Sequence, residues 1–344
     1  MELFERAKKF TEAAGVSGFE EMAFDTVKEL CEDLFTEIKT TSTGSIIGYR
    51  PCGKPNAKKL LLDAHLDEIG MVVSKILDGG FIRVSNCGGI DTRVLSAGEV
   101  YIYGKKTIMG VICSKPPHLT TDEDRKKKIL LKDIAIDTGL TKEELEEIAP
   151  IGTPVGFKTE TVRLGEDLAT GKSFDDRICG TVILHALQLL KDKDLDVDIY
   201  ALFSGGEETN YVGSRPGAVM IDPDYAVVID VCNCTIPETP EHRRSNFINK
   251  GGVVSYSTTT CRWFTQMLID TAKENGIPHQ IIAEAGYTYT NATMIQIARE
   301  GIPTLLISIP LKNMHTPAEI GSLKDVENTA KAIAALAEKL GGEE

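Results

Sequence analysis

The sequence predicts an α/β protein in which a mixed sheet, covered by helices on both faces, is interrupted by a small β-barrel-like domain. At 344 residues the chain exceeds the roughly 250–300 at which one hydrophobic core usually stops growing, so we expect two domains. Strand patterns alternate with helical patterns in the first and last parts of the chain. Between them lie short, partly alternating strands bounded by glycine turns.

The α/β domain is predicted to be discontinuous, formed by residues 1–69 and 163–344. Amphipathic helix patterns cover 2–15 and 19–34, and the apolar run Leu60–Asp63 is typical of a strand buried on both faces. Alternation of strands and helices resumes after residue 162, with helices expected at 176–190, 263–275 and 292–299 and strands at 198–203, 226–230, 280–283 and 304–309. A last helix is expected to begin at Ser322, with Asp325 placed for a capping box.

Residues 70–162 are predicted to form the inserted β-rich domain. Short strands are expected at Gly70–Ile76, Gly80–Ser85, Glu99–Tyr103 and Ile108–Cys113, and no long helical pattern occurs before Lys142–Ile148. The charged run 122–128 is expected to be a solvated loop.

Charge and cysteine usage limit the partners and the compartment. The 38 basic and 51 acidic residues give a net charge of −13, which disfavours nucleic acid and membrane as partners. The N-terminus has no apolar signal-peptide core, and no run approaches the roughly 18 apolar residues of a spanning helix. With no export signal, the 8 scattered cysteines are expected to be reduced, so the predicted compartment is the cytoplasm. The pair Cys232 and Cys234 could serve a redox or soft-metal role, but two free thiols are the simpler interpretation.

Acidic and imidazole side chains occur where predicted strands end or helices begin. They are His65, Asp175, Glu207, Glu208, Asp230 and His315. In open α/β sheets ligands gather beyond the carboxyl ends of the strands, so these distant residues can converge on one edge. Two histidines with several carboxylates are the side chains that a pair of divalent metals with a bridging water requires. The set therefore predicts a dimetal hydrolase.

Each of these residues also has a structural interpretation that needs no metal. His65 alone could be a hydrogen-bonded core histidine, and Asp175 could be only a helix N-cap. Glu207 and Glu208 could form an exposed acidic turn. A functional site is favoured because all the members fall on the same expected edge.

Local spacing predicts different roles for the two members of each of two residue pairs. In a strand, residues i and i+2 face the same side, so Asp67 can accept from one ring nitrogen of His65 while the other binds metal. Of the adjacent glutamates, one can bind metal while its neighbour takes a proton from the metal-bound water.

On these segments the chain resembles the cytosolic dimetal peptidase family that includes glutamyl aminopeptidase, deblocking aminopeptidase, the tetrahedral aminopeptidases and proteins once labelled cellulase M. The matches lie around His65, Asp175, Glu207 and His315, with support from 110–118, and the resemblance covers nearly the whole chain. It implies a zinc-peptidase-like catalytic domain in which Asp175 bridges two metals. His65 and Asp230 would complete one metal site, Glu208 and His315 the other, with Glu207 as general base and Asp67 behind His65.

The same resemblance implies a metal-dependent aminopeptidase that removes N-terminal residues from short peptides. Zinc, cobalt or manganese would suit the ligands. The insert 70–162 would be a dimerisation domain, and the protein a homo-oligomer whose dimers could assemble into a tetrahedral dodecamer.

Three departures from the family pattern concern the substrate. The loop after Glu208 is longer, Asn291 replaces an aspartate, and Lys312 with Asn313 replaces an Arg-Tyr pair. They keep a second hypothesis open, a dimetal amidohydrolase acting on a non-peptide amide or an acylated amino acid. A non-enzymatic scaffold with the same fold is a third, disfavoured because the ligand candidates are all present. Glycan hydrolysis is disfavoured because the carboxylates are better explained as metal ligands.

Overall fold

A computed structural model describes residues 1–113, 115–121, 123 and 129–340. The helices are α1 (Leu3–Glu12), α2 (Phe24–Cys31), α3 (Lys142–Ile148), α4 (Phe174–Leu189), α5 (Ser214–Ile221), α6 (Arg262–Glu274), α7 (Ala292–Ile295) and α8 (Leu323–Leu340). The strands up to the insert's end are β1 (Glu37–Thr40), β2 (Ile46–Arg50), β3 (Lys58–His65), β4 (Gly70–Ile76), β5 (Phe81–Cys87), β6 (Glu99–Tyr103), β7 (Thr107–Cys113), β8 (Ala135–Asp137) and β9 (Pro154–Phe157). The later strands are β10 (Val162–Leu164), β11 (Leu168–Gly171), β12 (Val197–Ser204), β13 (Tyr225–Asn233), β14 (Gly252–Ser257), β15 (His279–Glu284), β16 (Thr304–Leu311) and β17 (Glu319–Ser322).

A mixed eight-stranded sheet runs through the larger body in the order β1-β2-β12-β3-β13-β16-β14-β15. Its central strands β12, β3, β13 and β16 are parallel, so their carboxyl ends lie along one edge. Strands β2 and β14 join this parallel group in antiparallel fashion. The topology thus gathers the segments that follow β3, β12, β13 and β16 at one edge, as the sequence predicted.

Helices cover both faces because the central strands are apolar on both sides. In β3, Leu60 and Leu62 face the core shared with α1, α4, α6 and α8, while Leu61 faces the core shared with α5 and α7. The pattern that predicted the last helix is also seen in the structure, since Val326 and Ile333 of α8 are fully buried.

The six strands β4-β5-β8-β7-β6-β9 close into a barrel with its own apolar core. Met71, Ile82, Val100, Ile136 and Val155 belong to this core and are almost completely inaccessible to solvent. The predicted fold class, a mixed sheet with helices plus a small barrel, is therefore confirmed. The charged run 122–128, apart from Glu123, lies outside the described residues.

Several elements differ from the sequence prediction. Helix α7 ends at Ile295 rather than 299, and the second helix is divided into a 3-10 turn, Glu20–Ala23, and α2. The capping box at α8 is half formed: the Ser322 hydroxyl accepts the Asp325 N–H at 3.1 Å, but the Asp325 carboxylate accepts N–H groups of the 249–251 segment instead.

Within the described residues, no helix has both the length and the hydropathy that crossing a membrane requires.

Candidate metal centre

The carboxyl edge of the sheet carries most of the candidate residues. His65 is the last residue of β3 and pairs in register with Ser204, the last residue of β12. Glu207 and Glu208 follow β12 by a short turn, and Asp230 lies in the second half of β13. The side chains of His65, Glu207, Glu208 and Asp230 all line one cavity.

Asp175 lies between the two histidines. Its Oδ1 is 3.0 Å from Nε2 of His65, and its Oδ2 is 3.2 Å from Nε2 of His315. The same nitrogen of His315 is 3.4 Å from Oε1 of Glu208. Two triads with ligand atoms within 4.8 Å of one another result: His65, Asp175 and Asp230, and Asp175, Glu208 and His315. Both triads include Asp175, as a pair of bridged cations requires.

The electrostatics of this cluster show an excess of buried negative charge. Burial raises the pKa of Asp230 to about 8 and that of Glu207 to about 9, and the neighbouring Asp175 carboxylate adds to both shifts. The carboxylates of Asp175 and Glu208 beside the ring raise the pKa of His315 to about 11, so the cluster favours positive charge on this imidazole.

The donor set fits divalent cations. Oε1 of Glu208 is buried and has no hydrogen-bond partner among the described residues. Imidazole nitrogens and carboxylate oxygens suit zinc, cobalt and manganese alike. A cation between these groups would offset the carboxylates and give Oε1 of Glu208 a partner.

Glu207 belongs to neither triad and faces the same cavity. Its Oε2 is 3.9 Å from Nε2 of His65, and its side chain is 10% exposed. A carboxylate in this position can take up a proton beside the triads without being a ligand in either of them.

Asp67 supports the site in a way that the strand argument did not predict. Its carboxylate accepts the backbone N–H of Glu207 at 3.0 Å and that of Glu208 at 3.1 Å. Nδ1 of His65 is nearer to the carbonyl oxygen of Asp67, at 3.0 Å, than to its carboxylate, at 3.4 Å. β3 ends at His65, so Asp67 lies past the strand and the i, i+2 rule does not apply to it. Asp67 therefore fixes the Glu207–Glu208 turn as well as the imidazole.

Two further acidic residues hold the backbone of the cluster, and sequence reasoning assigned neither. Asp176 accepts the N–H of His65 at 3.0 Å. Glu319 accepts the N–H of Asp175 at 3.0 Å through one oxygen and that of His315 at 2.7 Å through the other. Asp175 and Asp176 both have non-helical backbone angles, so Asp175 precedes the regular part of α4. Glu319 could have been suspected only from its position four residues after His315.

The loop after β5 closes over the cluster from the barrel side. A Cβ at Gly88 would lie 2.9 Å from Oε2 of Glu208, and one at Gly89 would lie 3.0 Å from Nδ1 of His315. Gly88 also has a positive φ of 80°. Glycine is needed here because the backbone approaches the ligand candidates so closely.

The departures from the family pattern have different structural consequences. Asn291 follows Thr290 of the cavity wall; it is buried and donates to Oδ2 of Asp63 at 3.0 Å and to the Ser204 hydroxyl at 2.8 Å. Lys312 pairs through its backbone with Ile320. The longer loop after Glu208 brings Tyr211 to the cavity wall. Cys232 and Cys234 are both free thiols, and Cys232 lines the cavity.

Comparison with known proteins identifies the family. The model of the M42 glutamyl aminopeptidase family matches residues 44–332. The chain belongs to this family. The chain is therefore a peptide hydrolase of the aminopeptidase type.

Relatives of the M42 family match over nearly the whole chain. A lysyl aminopeptidase from Pyrococcus furiosus is 33% identical, and the match covers 98% of this chain and 97% of that protein. The crystal structure of a TET aminopeptidase from Thaumarchaeota archaeon SCGC AB-539-E09 is similar with a TM-score of 0.92 at 30% identity, covering 98% and 96%. Pyrococcus horikoshii TET1 peptidase, which can assemble into a tetrahedron or a large octahedral shell, has a TM-score of 0.85 at 30% identity, covering 98% and 99%. The family expected from the sequence is confirmed.

Proposed function

We propose that this protein is a metal-dependent aminopeptidase that removes N-terminal residues from short peptides. The observation that carries the proposal is the pair of ligand triads that share Asp175. His65 and Asp230 would complete one cation site, and Glu208 and His315 the other. Two bound divalent cations would polarise the scissile carbonyl and lower the pKa of a water between them.

Glu207 is the proposed general base. Its carboxylate lies beside His65 and outside both triads, so it can accept a proton from the attacking water and later deliver one to the leaving amine. The Asp67 carboxylate accepts the backbone N–H groups of Glu207 and Glu208, and so holds the turn that carries both glutamates. Asp67 is thus a positioning residue, while Glu207 acts on the reacting atoms.

We further propose that the barrel, with its limits near residues 70 and 162, is the contact through which copies of this chain pair in a homo-oligomer. Apolar side chains on its surface are exposed, among them Val94 at 46% and Met109 at 47%. Exposed apolar groups on a small barrel favour burial against a partner. Assembly into a tetrahedron or shell by Pyrococcus horikoshii TET1 agrees with a second copy as that partner.

The function is tested by hydrolysis of a panel of aminoacyl-nitroanilides and short peptides. The full-length protein is treated with a chelator, and zinc, cobalt or manganese is then added back. We expect activity to be lost with the metal and to return with at least one of the three cations. A protein that binds the cations but cleaves no aminoacyl substrate would disprove the aminopeptidase, and N-acylated amino acids would then be the next substrates to assay.

A further inference from the structure

The active-site cavity extends across the sheet to Glu284, well beyond the metal centre. The cavity has a volume of about 510 Å³, and its wall includes both the triads and Glu284. Glu284 is the last residue of β15, the outermost strand at that side of the sheet.

Strand register places Glu284 on the same sheet face as Asp230. Asp230 pairs with Ser308 of β16, Leu306 of β16 pairs with Ser255 of β14, and Ser257 of β14 pairs with Glu284. Paired residues face the same side, and so do residues i and i+2 along one strand. The whole series therefore faces one side, and the cavity lies over that face.

Two buried oxygen atoms in this part of the cavity have no hydrogen-bond partner among the described residues. They are Oε2 of Glu284 and Oδ1 of Asn246, and both residues line the cavity. Asn246 is only 8% exposed, and its amide nitrogen is already used by the carbonyl oxygen of Asn233 at 3.2 Å and the sulfur of Cys232 at 3.4 Å. A buried acceptor without a donor is destabilising, so both oxygens favour a donor that comes from a ligand.

At this end of the cavity, no basic side chain among the described residues neutralises the carboxylate of Glu284. His65 and His315 are the basic side chains among the described lining residues, and they contact Asp175 and Glu208. In the described part of the chain, no ion pair joins Glu284 to a lysine, arginine or histidine. Leu306 and Met314 supply apolar surface to the cavity wall.

We propose that Glu284 and Asn246 bind the positively charged side chain of a substrate whose N-terminal residue is lysine or arginine. Ammonium and guanidinium groups have donors and no acceptor, which matches two free acceptors, one of them anionic. The methylene groups of such a side chain can pack on Leu306 and Met314 while its charged end reaches Glu284. A substrate with an N-terminal glutamate would bring its carboxylate against Glu284 and is disfavoured.

This proposal rests on the aminopeptidase function, and the first test separates the two. The wild-type protein with its metals is assayed on nitroanilides of lysine, arginine, norleucine, leucine and glutamate. Norleucine has the chain length of lysine without the ammonium group. We expect kcat/KM for lysine to exceed that for norleucine by roughly 100-fold, because a site built to pair a polar group rejects the analogue that lacks it.

Substitution at Glu284 is the second test. Glu284→Gln keeps the shape and removes the charge, and should lower the lysine-to-norleucine ratio by about 10- to 100-fold while norleucine hydrolysis continues. Glu284→Lys should reverse the preference toward glutamate. Glu300→Gln, at an exposed acidic residue outside the cavity, is the matched control and should keep the wild-type ratio.

Each outcome has a defined meaning. Hydrolysis of leucine or glutamate in preference to lysine, or a ratio that Glu284→Gln leaves unchanged, overturns the proposal and leaves the aminopeptidase standing. Cleavage of no substrate in the panel overturns both. Continued norleucine hydrolysis by Glu284→Gln shows that the variant is folded, so its changed ratio reports on charge.

Discussion

Two clusters of buried charged side chains lie next to each other in this protein and differ in their balance of charge. The Glu68 cluster consists of Glu68, Lys172, Ser173 and Arg177. The Asp175 cluster consists of His65, Asp175, Glu207, Glu208, Asp230 and His315. The segment 172–177 contributes to both clusters, and Glu68 follows directly on Asp67.

In the Glu68 cluster the chain itself supplies the cations that compensate the carboxylate. The Lys172 ammonium and the Ser173 hydroxyl both contact Oε2 of Glu68, at 2.7 and 2.6 Å, and the Arg177 guanidinium lies 3.8 Å from Oε1. Burial alone would raise the pKa of Glu68, but these two cations lower it overall. Lys172 and Arg177 also donate to backbone carbonyls of the Ala13 segment and of Leu66.

In the Asp175 cluster the carboxylates outnumber the basic groups. Burial and the mutual repulsion of the carboxylates raise the pKa of Glu207 and Asp230, in contrast to the fall at Glu68. A buried charge is tolerated when it is paired or coordinates a metal. We propose that the Glu68 cluster stabilises the fold, and that the Asp175 cluster binds cations that the chain does not itself supply.

Glu207→Gln should produce the largest effect, because it removes the proposed base and keeps both triads. We expect kcat to fall by about 10²–10⁴-fold. Metal content and thermal stability should stay at the wild-type level. Steady-state kinetics with metal analysis measures this, beside Glu241→Gln at an exposed position. A variant that retains wild-type kcat would remove Glu207 from the mechanism.

Lys172→Met should have the next largest effect, and on stability. Removing the nearer cation leaves Glu68 with only the Ser173 hydroxyl and the Arg177 guanidinium 3.8 Å away, and breaking a buried ion pair in this way costs up to about 3–5 kcal/mol of unfolding free energy. Chemical denaturation of the metal-free protein is the measurement, and Lys191→Met, at an exposed lysine, is the control. If the two variants are equally stable, the Glu68 cluster does not hold the fold in the way described.

Glu319→Gln should have the smallest effect of the three. Glu319 touches no reacting atom but accepts the N–H groups of Asp175 and His315. Weakening such support typically lowers metal affinity by about 10–100-fold. Competition with a chelator indicator measures the affinity. Unchanged affinity would show that the backbone of the cluster is held by other contacts.

Most of the fold could be predicted because apolar runs and helical periodicity are local signals. The run that becomes β3 and the spacing that becomes α8 are examples. The elements that were not predicted are strands β1, β8, β9, β10, β11, β14 and β17 and helix α5. Except for β14, these strands have only three or four residues, too few for a clear alternating pattern. The central strands of the mixed sheet were therefore predicted more accurately than its outer strands.

The site was predictable where each residue ends an element, and less so where support comes from far along the chain. His65 and Asp230 were identified from the strands that carry them. Glu319 was not, because the N–H of Asp175 that it accepts belongs to a residue 144 positions away. Asn291 follows Thr290 of the cavity wall, yet its amide donates to the buried Asp63. Only the packed structure shows which polar group faces a ligand and which faces the core.

The most direct test of the central claim is the number of divalent cations bound per chain, measured by elemental analysis after dialysis against zinc, cobalt or manganese. We expect two cations in the wild-type protein. Asp230→Asn and His315→Ala should each weaken a different one, because each residue belongs to one triad only. A folded wild-type protein that binds no cation, or that keeps both with full affinity in the two variants, would contradict the assignment of the Asp175 cluster as a two-cation centre.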